Sequence, residues 1–530
     1  MAKDGKRNTA VSRVPAARWR LALTGLALTL AQISCVKADT SQVAWKMIDP
    51  WVGNVPYPTA TPTATPTPIA LMRLFPPTLA PGESRPTPTP DPAREPPAIR
   101  TSAEIYVVQP GDSLNQIAGR FGVGVSYLMA ANGLYNPNFL AVGQILQIPA
   151  PVPQPQGPAD KLIPDSELVN GPSQVFFDVR SVIRQWDGAL AHYSEDVEGQ
   201  TLSGAQIIQL VGERYSVSPR LLLGLLEYQG GWLTQRHVSS DVATYPLGYV
   251  RAGWEGLFSQ VSWAANQMNA GFYLWQAGWA GPIGFGDGSV VPAGEGLNAA
   301  TIGLQYMFAQ IYPVQQWRHV VGPDGFIKVY TTLFGDPFDW AVEPLLPTDL
   351  SQPAMQLPFE EGRTWSFTSG PHGGWDSGSA WAALDFAPPG DALGCVESNA
   401  WVTAVADGLI VRTGNGEVLE DLDQDGNEQT GWVVLYMHVE SRDRVQEGET
   451  VKAGQRLGHP SCEGGVADGT HLHLARKYNG VWISADGGIP FDLDGWVSAG
   501  SGVQYDGTLT RGNVSLEACA CRGPDNQISR

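Results

Sequence analysis

The chain has 530 residues and a net charge of −19, from 33 Lys and Arg against 52 Asp and Glu. At roughly 100–200 residues per domain, that length implies three or four domains. The acidic balance disfavours a nucleic-acid partner, and a mean hydropathy of −0.12 excludes a polytopic membrane protein. With 61 Gly and 42 Pro, turns and linkers are expected, and 18 Trp offer flat faces suited to sugars and peptides.

Residues 1–35 read as a signal peptide. Lys3, Lys6, Arg7, Arg13, Arg18 and Arg20 precede an apolar run from Leu21 to Ile33. That run is too short to span a bilayer as a mature helix and has the flanks of a secretory signal. Removing residues 1–34 takes away six basic side chains and one acidic one, Asp4, and moves the charge from −19 to −24. Gln32-Ile33-Ser34-Cys35 resembles a bacterial lipoprotein cleavage box, which implies lipidation of Cys35. Cleavage after Ala38 is the alternative. Either route takes the chain out of the cytoplasm, where Cys395, Cys462, Cys519 and Cys521 can form disulfides. Four cysteines allow three pairings, and the sequence leaves all three open.

Residues 36–103 form a Pro/Thr-rich linker, clearest at Thr61-Pro62-Thr63-Ala64-Thr65-Pro66-Thr67-Pro68 and Pro86-Thr87-Pro88-Thr89-Pro90. Such composition builds no core and favours an extended spacer. Residues 104–149 change character. A short strand at 105–108 leads into Pro110-Gly111-Asp112-Ser113-Leu114, a turn with Asp112 or Ser113 as N-cap. Leu114, Ile117, Ala118 and Phe121 have helical spacing, a second helix is expected at 125–132, and Gly143-Gln144-Ile145-Leu146-Gln147-Ile148-Pro149 closes as a strand. This βααβ unit resembles the LysM module, including its Asn132-Gly133-Leu134 step. The resemblance implies binding of N-acetylglucosamine-containing glycans such as peptidoglycan.

A second linker, 150–160, precedes a mostly helical stretch, 161–350. Helices are expected at 205–215 and 219–228, within 254–279 and at 297–311. The run Tyr215 to Trp232 resembles the opening of the lysozyme-like lytic transglycosylase domain. In that resemblance the general acid falls at Gln229. Glu227 lies two residues earlier, about 200° round the helix, and Gln donates no useful proton. The middle domain is therefore expected to be non-catalytic, a glycan-binding or scaffolding unit.

Residues 351–515 are Gly-rich with short β-type runs, expected as strands at 401–405, 409–412, 432–437 and 471–476, followed by a tail, 516–530. Five of the eight histidines lie here: His372, His438, His459, His471 and His473. In His471-Leu472-His473, alternate strand residues point to one face. A catalytic zinc takes three protein ligands and keeps one open position. The segments Val405-Ala406-Asp407-Gly408, Tyr436-Met437-His438 and Gly469-Thr470-His471-Leu472-His473 resemble the lysostaphin/LytM-type zinc endopeptidases, closest to the staphylolysin or β-lytic branch. That resemblance implies one Zn2+ per chain on His372, Asp385 and His473, with His438 and His471 as the catalytic imidazoles. Asp376 fits a His-x-Gly-x-Asp pattern literally but sits in a Gly/Ser loop. Asp385 has the strand and Pro-Gly turn expected after the ligand. Asp421-Leu422-Asp423-Gln424-Asp425-Gly426 resembles the start of an EF-hand loop, but Trp432 stands where the bidentate Glu belongs, so a solvated hairpin is expected rather than Ca2+. His459, His192, His237 and His319 read as structural or rim residues.

The expected fold is thus multidomain: a βααβ LysM module, a mostly α-helical lysozyme-like middle domain, and an all-β peptidase domain, a LytM-type β-sandwich with a duplicated hybrid motif. The function implied by these resemblances is a secreted or surface-anchored peptidoglycan hydrolase that cuts stem or cross-bridge peptides. The membrane would be met only through a lipid anchor on Cys35. Two other readings stay open: a non-catalytic wall-binding protein or hydrolase activator, and a muramidase acting through the middle domain.

Overall fold

The computed structural model describes residues 100–530 apart from 110–111, 138, 279–281 and 391. The signal segment, Cys35 and the Pro/Thr-rich linker lie outside the described residues. Among those described, no helix is long and apolar enough to cross a membrane.

Strands Glu104–Val107 and Ile145–Ile148 pair antiparallel around helices Leu114–Phe121 and Val125–Asn132. Ser113 is the N-cap of the first helix, and Gln116 returns a bond to it, a capping box that satisfies two otherwise unpaired N–H groups. Leu114, Ile117, Leu128, Leu146 and Ile148 fill this small core. The module is not a bead on a string. The side chain of Leu274, from the middle domain, lies against Gly119, and Gln310 Oε1 accepts from the Val125 N–H at 3.3 Å. The segment expected as a second linker is also built in: Val152–Pro153 pairs parallel with Ser289–Val291.

The middle domain centres on the 20-residue helix Leu257–Gln276, which packs along Ala299–Ala309. Their backbones come so close that a Cβ on Gly271 would stand 2.9 Å from the Gly303 Cα; only glycine permits that approach. Gly204–Tyr215 and Pro219–Gly230 complete the core, with Pro219 in the first turn, where its missing N–H costs nothing.

The C-terminal domain carries a nine-stranded antiparallel sheet. Its order runs Thr450–Val451, Gly408–Gly414, Glu417–Asp421, Trp432–Met437, Leu472–Tyr478, Ala383–Ala387, Thr364–His372 and Gln527–Ser529, with Val481–Trp482 pairing off Leu472–Tyr478. A four-stranded sheet from Asp492–Leu493 to Val514–Glu517 packs against it. The segment expected as a tail, 516–530, is built in: it supplies the end of strand Val514–Glu517 and all of strand Gln527–Ser529.

Strand Trp432–Met437 is buried at every position, so it lacks the alternation of a sheet with one wet face. Val434 and Tyr436 join the sandwich core with Phe367, Phe386 and Leu474. Val433, Leu435 and Met437, with Leu419, Ala475 and Ala383, join the core of the middle domain instead. The helical domain therefore covers the sheet face opposite the sandwich.

Candidate functional site

Three adjacent strands bring the expected residues together. His473 is paired in register with Met437 on one side and Asp385 on the other. His372 ends the next strand, after two register irregularities that re-aim it. His372 Nε2, His473 Nδ1 and Asp385 Oδ1 lie 3.0, 3.2 and 3.2 Å from one another.

The tautomers follow from the other ring nitrogens. His372 Nδ1 is 2.9 Å from the Gly370 carbonyl, and His473 Nε2 is 3.2 Å from the Gly374 carbonyl. A carbonyl only accepts, so those nitrogens carry the protons. Nε2 of His372 and Nδ1 of His473 then present lone pairs, and Asp385 Oδ1 is buried with no hydrogen bond to it. In these tautomers three acceptors converge, a set of atoms that can hold a metal ion. Tetrahedral zinc at its usual bond lengths separates its ligand atoms by about 3.3 Å, close to the spacing seen. Outward donation from ligand imidazoles to carbonyls is the usual supporting arrangement. The residues present therefore fit zinc.

The electrostatics say the same. Burial works against charge on Asp385, but the imidazoles of His372 and His471 hold its carboxyl well below the usual carboxylate range. Burial pulls His372 down, yet the Asp385 carboxylate raises it overall. His473 is lowered, by burial first. Asp385 is thus held ionised and His473 neutral, the states in which both offer lone pairs.

Two further imidazoles stand beside it. His471 Nδ1 donates to the Gly469 carbonyl at 2.7 Å, leaving Nε2 free 3.9 Å from Asp385 Oδ2. His438 Nδ1 donates to the Glu463 carbonyl at 3.0 Å. The two rings lie 4.5 Å apart, brought together because Ser461 bridges both backbones. Burial and the neighbouring histidines push His438 down to about 4. The disulfide Cys395–Cys462 pins the loop that supplies the Glu463 carbonyl, and Cys519 pairs with Cys521.

Asp376 lies elsewhere. It is exposed, its Oδ2 accepts from the Tyr215 hydroxyl at 3.1 Å, and it is outside the metal-holding group. Tyr505 is a site residue that the sequence reading did not find. Its ring stacks on His372 at 4.6 Å, from a loop 32 residues past His473. No local motif announces it.

The other candidates are accounted for structurally. Asp421, Asp423 and Asp425 cluster, but the loop's own N–H groups donate to each carboxylate. Burial and Asp423 push Asp421 up to about 7. Glu227 accepts from Leu233 N, Thr234 N and Thr234 Oγ1, and Gln229 accepts from Tyr312. Glu227 is a capping residue of the loop after its helix. His459 donates to the Ala400 carbonyl and packs on Trp401; His192, His237 and His319 are exposed.

Three segments of the chain match known protein families. Residues 106–149 match the LysM domain, 161–348 match the LasA N-terminal domain, and 392–485 match peptidase family M23. The chain is 27% identical over 302 residues to Protease LasA of Pseudomonas aeruginosa, across 52% of this chain and 66% of that protein, just under two thirds of its length. A segment of 49 residues, 9% of the chain, is 45% identical to 16% of the N-acetylmuramoyl-L-alanine amidase XlyA of Bacillus subtilis. Among solved structures, the M23 metalloprotease pseudoalterin aligns over 32% of this chain and 96% of its own at 24% identity and a TM-score of 0.26. The catalytic domain of lysostaphin from Staphylococcus simulans aligns over 23% of this chain and 89% of its own at 24% identity, TM-score 0.17. The chain thus carries a segment matching the LysM domain and a segment matching peptidase family M23.

Proposed function

We propose that this protein is an extracytoplasmic, zinc-dependent endopeptidase that cleaves peptidoglycan stem or cross-bridge peptides and is held to the wall by its LysM domain. One observation carries the reading: two imidazole nitrogens and a buried carboxylate oxygen converge at 3.0–3.2 Å, while the other nitrogen of each ring is spent on a backbone carbonyl. His372, Asp385 and His473 would hold the zinc. Zinc held there supplies Lewis acidity toward a carbonyl oxygen and lowers the pKa of a bound water.

The remaining work falls to the chain's own side chains. The free Nε2 of His471 is placed to take a proton from attacking water, oriented by the Gly469 carbonyl behind it. His438, kept neutral by burial, is the second imidazole. Its Nδ1–H is spent on the Glu463 carbonyl, so its Nε2 presents a lone pair that can accept a proton from the attacking water or orient it. Tyr505, flat against His372, forms one wall and restricts the ring's rotation. The LysM match and the likeness to an N-acetylmuramoyl-L-alanine amidase support peptidoglycan as substrate, and the Cys395–Cys462 disulfide supports an oxidising compartment. A lipid anchor on Cys35 is part of the same reading.

The test is digestion of purified peptidoglycan, with mass spectrometry of the fragments and metal analysis of the enzyme. New free amines with about one zinc per chain are expected. New reducing or anhydro sugar ends without new amines would instead give the activity to the middle domain.

A further inference from the structure

The helical domain meets the peptidase sheet through a charge cluster as well as through apolar side chains. Arg214 lies between Glu198 at 2.8 Å and Glu417 at 3.1 Å. Arg412 binds Glu417, reaches Glu428 at 3.1 Å and stands 3.9 Å from Glu213. Lys477 is 3.8 Å from Glu428, and Asn415 donates to Glu198 at 2.7 Å. Glu198, Glu213 and Arg214 come from the helical domain; the other charges come from the peptidase domain, Glu428 from the turn before Trp432–Met437 and the rest from its sheet. Among the described residues, four carboxylates thus meet three cations. Arg444 also acts on Glu417, but it is matched by Glu463 at 3.5 Å.

We propose that this surplus carboxylate makes the docking of the helical domain a pH-dependent latch, with Glu213 as the group that gives up the proton. Glu213 is the least compensated of the four. Its nearest cation, Arg412, is shared with Glu417 and Glu428, and its other partner is the uncharged Gln209. Lys477, also near it, is committed to Glu428. About a fifth of its side chain is exposed, which gives the proton a path to solvent. Burial pushes Glu213 up to about 7 against the pull of Arg412, and Glu428 and Glu417 add to the rise.

The sign follows by linkage. Undocked, the group would titrate near its ordinary value of 4.5. Docking therefore binds a proton between that value and about 7. It is tightest in acid and weakens as pH rises through neutrality. Release would uncover the sheet face that carries Met437, the register partner of His473. The bearing on catalysis rests on the peptidase reading; the latch itself does not.

The experiment is hydrogen exchange on the full chain at about pH 5.5 and about pH 8, followed in Trp432–Met437 and Leu472–Tyr478 and corrected for intrinsic rates. Opening of these strands is expected to rise about tenfold or more between the two. In Glu213→Gln, which mimics the protonated group, opening should stay at the acid level at both. No change in the parent chain, or full pH dependence retained in E213Q, would overturn the latch. If E213Q fails to fold, Glu428→Gln gives the same reading. Relieved of one neighbour, Glu213 ionises at lower pH and the midpoint of opening shifts down; an unmoved midpoint overturns the proposal. Exchange is measured without substrate, so loss of peptide cleavage with the pH response intact would count against the catalytic reading alone.

Discussion

Asp385→Ala tests the centre of the site directly. Asp385 Oδ1 stands 3.2 Å from each of the two imidazole lone pairs and is the only charge among the three converging atoms. Outer partners of a metal site are typically worth 10–100-fold in affinity. Losing an inner, charged ligand should exceed that, so zinc binding should weaken by about a thousandfold or more, roughly 4 kcal/mol at 1.4 per decade. Asp376→Ala is the matched control. Its carboxylate is exposed and committed to Tyr215 and to the Ser377 N–H, and its loss should change zinc affinity by less than about threefold. Competition against a chromogenic chelator, on proteins of equal helicity, reads both. A thousandfold loss in the Asp376 variant with Asp385→Ala within tenfold of the parent would refute the assignment and the tautomer argument beneath it.

His471→Ala and His438→Ala should each keep about one zinc per chain and lower kcat by about 10²–10⁴, because both imidazoles lie outside the converging three; loss of metal from the His471 variant would make that residue a ligand. Deleting residues 104–149 should weaken retention on insoluble peptidoglycan. It should also lower the melting temperature, because Leu274 loses the cover it now has at Gly119; an unchanged melting temperature would mean the module is only tethered. Glu420, buried in the sandwich and bonded to Tyr436, is pushed up to about 8, by burial first. Its proton is bound on folding from about pH 4.5 upward, so stability falls as pH climbs toward 8, and Glu420→Gln should add up to about 4 kcal/mol near pH 8.5 and almost nothing near pH 4. Urea midpoints at the two pH values check this, and equal gains at both would show that packing rather than ionisation is responsible.

What could be read in the sequence was what local spacing encodes. Helix Val125–Asn132 and strand Trp432–Met437 lie where their patterns put them, and the Ser113 cap is visible in four residues. The i, i+2 spacing of His471 and His473 places both imidazoles at one site, and the strand context of Asp385 separates it from Asp376. What escaped was set by long-range complementarity. Tyr505 reaches His372 from a loop with no pattern of its own. The charge cluster joins residues between 198 and 477 that look like ordinary surface charges one at a time. The strand pairing of 152–153 and of 527–529 was hidden because such short segments read as linker and tail.

The two-sided burial of Trp432–Met437 divides the strand into two alphabets. Even-numbered Val434 and Tyr436 answer to the sandwich, and odd-numbered Val433 and Leu435 answer to the helical domain. Neighbouring positions one peptide apart therefore obey different constraints. A polar replacement at 434 attacks the peptidase fold itself. The same replacement at 433 or 435 leaves that fold its own core and strikes the union of the two domains. Because side chains alternate along the strand from Val433 to Met437, the sequence offers a way to uncouple the domains without dismantling either, and drift at those odd positions would loosen the peptidase from its helical partner.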